Sequence, residues 1–200
     1  MRRSAVTVAD LARALPATPR NRLHRHDFNR PTLIVARELL GKFIVHRIGR
    51  REIAGMITET EAYKGPRDRA AHTHGGRRTM RVEPLYGDGG TVYVYLVYGI
   101  HWMLNFSSAG REQPEGVLIR GVNAETPSGL QRFGGPGLVS KYLQIDKTLD
   151  GIDAAQSRVF WVEDRGVRIP SSRIRKGPRI GVEYAGEYWA ARAWRFCIDQ

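Results

Sequence analysis

The chain has 200 residues, enough for one domain with a real core, and 32 Lys and Arg against 20 Asp and Glu leave a formal charge of +12. Arginine carries most of that excess, which points to a polyanionic partner such as nucleic acid, because releasing condensed counterions adds affinity. A single cysteine, Cys197, excludes a disulfide framework and a cysteine-rich zinc site and implies a reducing compartment.

Residues 1–27 read as an arginine-rich extension, with one short helix expected over 8–15. They carry the charges of a signal peptide but no sustained apolar stretch, so a cytoplasmic location is expected, associated with the nucleoid if the source is bacterial. PTLIVARELLGK predicts a helix that begins at Pro31, buries Leu33, Ala36, Leu39 and Leu40 on one face, and stops at Gly41. Strands are expected over 42–48 and 53–63, joined by a polar turn.

Residues 64–90 are rich in Gly and Arg without periodicity, and a loop this long in a compact domain is usually functional or disordered. TVYVYLVYGIHWMLNFSS (91–108) then predicts a hairpin folded across Tyr98 and Gly99. The run is too short to span a membrane as a helix and alternates with period two, so no membrane partner is expected. Further strands are expected over 116–122, 159–164 and 179–184, and a glycine-rich loop opens a helix within 133–145. Strands out of step with helices predict an α+β fold, one compact domain over 28–200 with a mixed or antiparallel sheet.

Several groups of residues could carry chemistry. In TETEAY an extended strand puts Glu59, Glu61 and Tyr63 on one face, with the carboxylates roughly 7 Å apart. If partly buried, two such acids take different pKa values and one stays ionised as a base. The alternative is a solvated strand face. His72 and His74 lack a third ligand at a known spacing, so no metal is expected. Arg77, Arg78 and Arg81 read as phosphate contacts or as plain solvated charge. FGGPGL lacks the Lys-Ser/Thr of a phosphate-binding loop. The tyrosine ribbon has no polar face, so it is either a core strand or an aromatic surface for stacking, and a ring at the hairpin tip has the form of a wedge.

Taken together, ETEAYKGPRDRAAHTHGGRRT, GTVYVYLVYGIHWMLNFSS, GVLIRGV and the late GPRIGVEYAGEYWAARAWRF resemble the alkyladenine (3-methyladenine) DNA glycosylases over about residues 28–198. The resemblance implies a monomeric α+β enzyme with a projecting β-hairpin. Such an enzyme flips damaged purines out of double-stranded DNA and hydrolyses the N-glycosidic bond without cofactor, metal or lyase activity. It implies Glu61 as the general base that activates water, assisted by Arg120. Tyr63, His72 and Tyr95 would sandwich the flipped base, Asn105 would exclude guanine, and Tyr98 would intercalate. The chain departs from the family pattern at Met80 and Val82 after RRT, at Leu138 after GPG, and at Ala193 before Trp-Arg-Phe, and these positions bear on substrate range. The rival readings are a non-catalytic damaged-DNA or RNA binding protein of the same fold and a basic ribosome-associated module.

Overall fold

The computed structural model describes residues 21–199, and the helix expected over 8–15 lies outside them. A short helix α1 (Arg25–Phe28) buries Phe28, and α2 (Thr32–Glu38) follows Pro31. Val35, Ala36, Leu39 and Leu40 bury the inner face of this segment, and Gly41 turns the chain away at φ +83°, a backbone state that suits glycine. Thr60 Oγ1 donates 2.7 Å to the Ala36 carbonyl, which ties α2 to the sheet below it.

Among the described residues, nine strands form one sheet in which every pairing is antiparallel. They are β1 (Phe43–Ile48), β2 (Arg51–Tyr63), β3 (Val92–Val97), β4 (His101–Ser108), β5 (Glu115–Thr126), β6 (Gly129–Gly134), β7 (Phe160–Glu163), β8 (Ile174–Gly177) and β9 (Arg195–Ile198). The order runs β3-β4-β5-β2-β1-β7, with β6 on the far half of β5 and the β8–β9 pair on the end of β2. The two long strands, β2 and β5, are the spine of the molecule. Each changes partner part-way along, so each reaches from the core into the site. Helix α3 (Pro136–Leu143) covers β4 and β5 with Val139 and Leu143, and the buried rings of Phe28, Phe106 and Phe160 fill the centre, Phe106 stacked on Phe160 and tilted against Phe28. The fold is α+β and a single compact domain, as the residue pattern indicates.

One expected strand is absent. Residues 179–184 are irregular and end in a 3-10 turn (Glu183–Ala185), with only Arg179 and Val182 buried among them. Gly181 at φ +75° breaks the extended backbone, and the Ile180 N–H bonds a carboxylate instead of a neighbouring strand. The strands β6 and β8 carry charged and glycine residues on largely exposed faces and show no period, while β9 alternates buried Phe196 and Ile198 over only four residues, too short a run to stand out.

The long loop over 64–90 is tied down throughout. It contains three 3-10 turns (Gly65–Arg67, His74–Gly76, Glu83–Tyr86), and the buried Thr73 hydroxyl donates 2.9 Å to Pro114 O. No helix among the described residues is long and apolar enough to cross a membrane.

Candidate active site

The ladder between β2 and β5 is irregular at one point, and the site is built there. Ile57 pairs with Val122, Glu59 with Gly121 and Thr60 with Ile119, so Thr58 and Arg120 are each left without a cross-strand partner. Bulges of this kind re-aim side chains. Gly121 makes the irregularity fit, because a Cβ there would stand 3.0 Å from Thr58 Oγ1 and 3.1 Å from Glu59 Cβ. The Arg120 carbonyl is taken up by the Gly135 N–H at 2.8 Å.

Arg120 Nε lies 3.3 Å from Glu61 Oε1 and 3.4 Å from Glu59 Oε1. Glu61 is 0% exposed, and both of its oxygens are held. Oε1 accepts the Ile180 N–H at 2.8 Å and Oε2 accepts the Tyr63 O–H at 2.8 Å. Burial pushes the Glu61 carboxyl above the ordinary glutamate value, while Arg120, the Ile180 amide and the Tyr63 hydroxyl pull it back. Burial, with the Glu61 charge next, raises the Tyr63 phenol well above its usual value, so it stays a donor. A desolvated carboxylate with three donors around it can accept a proton from a bound water while its position stays fixed.

Above this floor opens a cavity of about 450 Å³. Tyr63, His72, Tyr95, Asn105, Arg120 and Tyr98 all line it, together with Arg81, Tyr93 and Tyr184. The His72 and Tyr95 rings meet edge-to-face at 4.6 Å, and Tyr93 backs both at 6.0 and 5.2 Å. A 2.8 Å hydrogen bond joins His72 Nδ1 to the Tyr93 hydroxyl. Burial, then Arg81 and Arg77, lower the His72 pKa to about 4, and burial raises that of Tyr93 to about 12, so both are neutral at pH 7. Asn105 donates its amide to the carbonyls of Tyr93 (3.2 Å) and Met103 (3.3 Å), which fixes the orientation of its side chain.

His72 gives a stability prediction. Its folded pKa lies below the unfolded value of 6.5, so the unfolded chain takes up the proton first as pH falls. Stability from this group is complete above pH 6.5 and is lost between there and about 4. Thermal unfolding across that window should show the loss, and a His72→Asn variant should show a shallower slope. An unchanged slope would mean that His72 titrates normally in the fold.

The hairpin of β3 and β4 projects beyond this cavity, closed by the Ile100 N–H to Val97 O at 3.1 Å. Tyr98 at its tip is 91% exposed and adopts φ +52°, followed by Gly99 at +71°. The three arginines separate. Arg81 lies over the Tyr95 ring at 5.4 Å and lines the cavity, and Arg77 is exposed. Arg78 is held by two carboxylates near its own loop, Glu83 at 2.6 Å and Glu112 at 2.6 Å, and so braces the loop. His72 and His74 use their Nδ1 atoms on different partners, Tyr93 and Pro66 O. No group of three or more potential ligands among the described residues could hold a metal ion.

Residue pattern alone missed Arg179. It is buried, pairs with Asp68 at 2.5 and 2.9 Å, donates 3.0 Å to Ala62 O, and lies between the rings of Tyr63 (4.6 Å) and Trp194 (5.0 Å). It therefore fixes the Tyr63 ring, the start of the long loop and the strand end that carries Glu61. An Arg179→Met variant leaves Asp68 buried without its counter-ion and should lose about 3–5 kcal/mol in denaturant unfolding. A loss under 1 kcal/mol would show that the pair does not brace the site.

The family description Methylpurine-DNA glycosylase (MPG) matches residues 26–200. The chain belongs to this family. Relatives named "Putative 3-methyladenine DNA glycosylase" include one from Desulfitobacterium hafniense, 39% identical over 197 residues, covering 89% of this chain and 95% of the relative. Another, from Psychrobacter cryohalolentis, is 42% identical over 189 residues, with 84% and 86% covered. One from Borreliella burgdorferi is 36% identical over 179 residues, with 88% and 95% covered. As a methylpurine-DNA glycosylase the chain is a DNA repair enzyme whose substrate is damaged DNA. Of its departures from the family pattern, Met80 is 89% exposed and Leu138 is exposed on α3, while Ala193 lines a different cleft. Val82 is the exception: it is buried against Leu85, Tyr86 and Tyr93, one contact behind the ring that holds His72.

Proposed function

We propose that this glycosylase removes alkylated or deaminated purines of the 3-methyladenine type from double-stranded DNA, by flipping the base into the aromatic cavity and hydrolysing its bond to C1′. The observation that carries this reading is the buried Glu61 carboxylate, held by Arg120, the Ile180 amide and Tyr63, three residues that line the aromatic cavity. A water bound beside Glu61 and Arg120 attacks C1′ and passes its proton to Glu61. The fixed negative charge also stabilises the oxocarbenium-like sugar. A purine alkylated at N3 or N7 is cationic, and breaking its bond neutralises it, so it leaves without a general acid.

Tyr63, His72 and Tyr95 sandwich the extruded base. Because His72 is neutral at pH 7, it does not repel a cationic ring. Asn105 screens against the exocyclic amine of guanine, and Tyr98 enters the gap left in the base stack. Arg77 and Arg81 take phosphates, and Arg78 does so only by exchanging its carboxylate partners. Cleavage is hydrolytic without a lyase step, and among the described residues no lysine lines the cavity. On this reading residues 28–200 are the catalytic domain, residues 1–27 are an extension, and the enzyme acts as a monomer.

The test is release of free base from duplexes carrying single 3-methyladenine, 7-methylguanine, hypoxanthine or ethenoadenine lesions. The expected product is an abasic strand that breaks only after alkali. Binding without release on any of these substrates would favour a non-catalytic damage-binding protein, and breakage without alkali would sink the hydrolytic mechanism.

A further inference from the structure

We propose that Glu59 is a positioning residue for the hydrolytic step: shared between Arg120 and Arg195, it holds the Arg120 guanidinium beside Glu61 and limits the pull of that guanidinium on Glu61. This rests on the reading of Glu61 as the base.

Arg120 Nε stands almost evenly between the two carboxylates, at 3.3 and 3.4 Å. Neither contact is as tight as the Arg179–Asp68 pair of the same core, at 2.5 and 2.9 Å. A guanidinium drawn wholly onto Glu61 would make it a weaker base, because a close opposite charge lowers carboxylate basicity. Glu59 draws it back from the other side. Glu59 is in turn fixed by Arg195 Nη1 at 3.0 Å, while Arg195 Nε donates 2.8 Å to Pro178 O. Glu59, Arg120 and Arg195 are 12%, 12% and 28% exposed at their side chains, so these charges interact with little screening. The chain Glu61–Arg120–Glu59–Arg195 holds two negative and two positive groups.

The bulge explains why Glu59 can do this. It sets Glu59 opposite Gly121 and leaves Arg120 out of the ladder, so that residues on neighbouring strands meet at one guanidinium. The other groups facing Glu61 are Tyr63 on β2, Tyr95 on β3 and Tyr184 after β8. Facing Glu59 from β9 are Arg195 and Cys197, with Arg175 and Asp199 beyond them. None of them stands between Glu59 and Arg120 in the hydrogen-bonded chain.

The two ends of the network give opposite signs. In Glu59→Gln, Arg120 pairs with Glu61 alone and a like charge is removed, so Glu61 should titrate lower, by roughly a pH unit. In Arg195→Gln, Glu59 loses its other counter-ion, so Glu61 should titrate higher. The first readout is a ¹³C NMR titration of the Glu61 carboxyl in the full chain, with Glu61→Gln assigning the signal. The second is single-turnover excision against pH, whose acid limb should move with the titration. For Glu59→Gln the plateau rate should also fall by about 10–100-fold with lesion affinity unchanged, within the cost of a 1 Å misplacement. A Glu59→Asp variant should recover part of that loss.

Shifts of one sign in both variants, or no shift in either, would overturn the positioning role whatever the rates. Opposite shifts in a protein that releases no base would support the network and sink the proposed reaction. A Glu59→Gln protein that merely unfolds earlier, with the Glu61 titration unmoved, would reduce Glu59 to a structural residue.

Discussion

Glu61→Gln should cut base excision by roughly 10²–10⁴-fold, the usual worth of a general base, while lesion-containing duplex binds with nearly its original affinity. The substitution keeps the shape of the side chain and an oxygen for the Ile180 N–H, but a neutral amide cannot take a proton from water. Stability should hold or rise, because one desolvated charge leaves the interior. Single-turnover release and fluorescence anisotropy on the same duplex separate the two effects. In the parent protein the rate should fall on the acid side with a midpoint above the ordinary glutamate value, since burial raises this carboxyl. That limb should be missing from whatever activity the variant retains. A variant that excises at the parent rate would remove Glu61 from the mechanism.

Tyr98→Asn should move stability and binding in opposite directions. A tyrosine at φ +52° is strained by about 1 kcal/mol, and asparagine tolerates the left-handed region far better. Its ring is 91% exposed, so the fold loses almost no burial when it goes. The variant should therefore melt about 2–4 °C higher. Loss of a stacking ring should meanwhile weaken lesion binding by about 1–3 kcal/mol. If melting temperature and affinity fall together, Tyr98 supports the hairpin and its role as a wedge fails. If affinity is unchanged, the tip does not enter the duplex.

Residue pattern carried different parts of this molecule unequally. The helix after Pro31, the two strands of TETEAY and its partner, and the tyrosine hairpin each have a strong period, and each is present where the period puts it. The short strands β6 and β8 have none, because their faces are largely exposed, and the four residues of β9 are too few to show theirs; the order of all three comes from pairing with β5, β2 and one another. Residues 179–184 misled for a specific reason. Ile180, Val182 and Tyr184 read as strand formers, but Gly181 turns the backbone at φ +75°, Arg179 is buried on Asp68, and the Ile180 amide bonds a carboxylate, so no ladder forms. The family resemblance named Tyr63, His72, Tyr95, Tyr98, Asn105 and Arg120, all of which line the cavity. It could not show that Arg120 sits in a bulge or that Arg179 clamps Tyr63, since both depend on partners more than 50 positions away.

The amide of Ile180 lies 119 positions along the chain from the carboxylate it holds. Its proton therefore exchanges with solvent only when the last segment lifts away from β2. That same opening would let water reach Glu61 and return its acidity to that of an ordinary side chain. Hydrogen exchange at this single amide thus measures how often the resting enzyme opens the Glu61 site, and lesion DNA that seals the cavity should slow it.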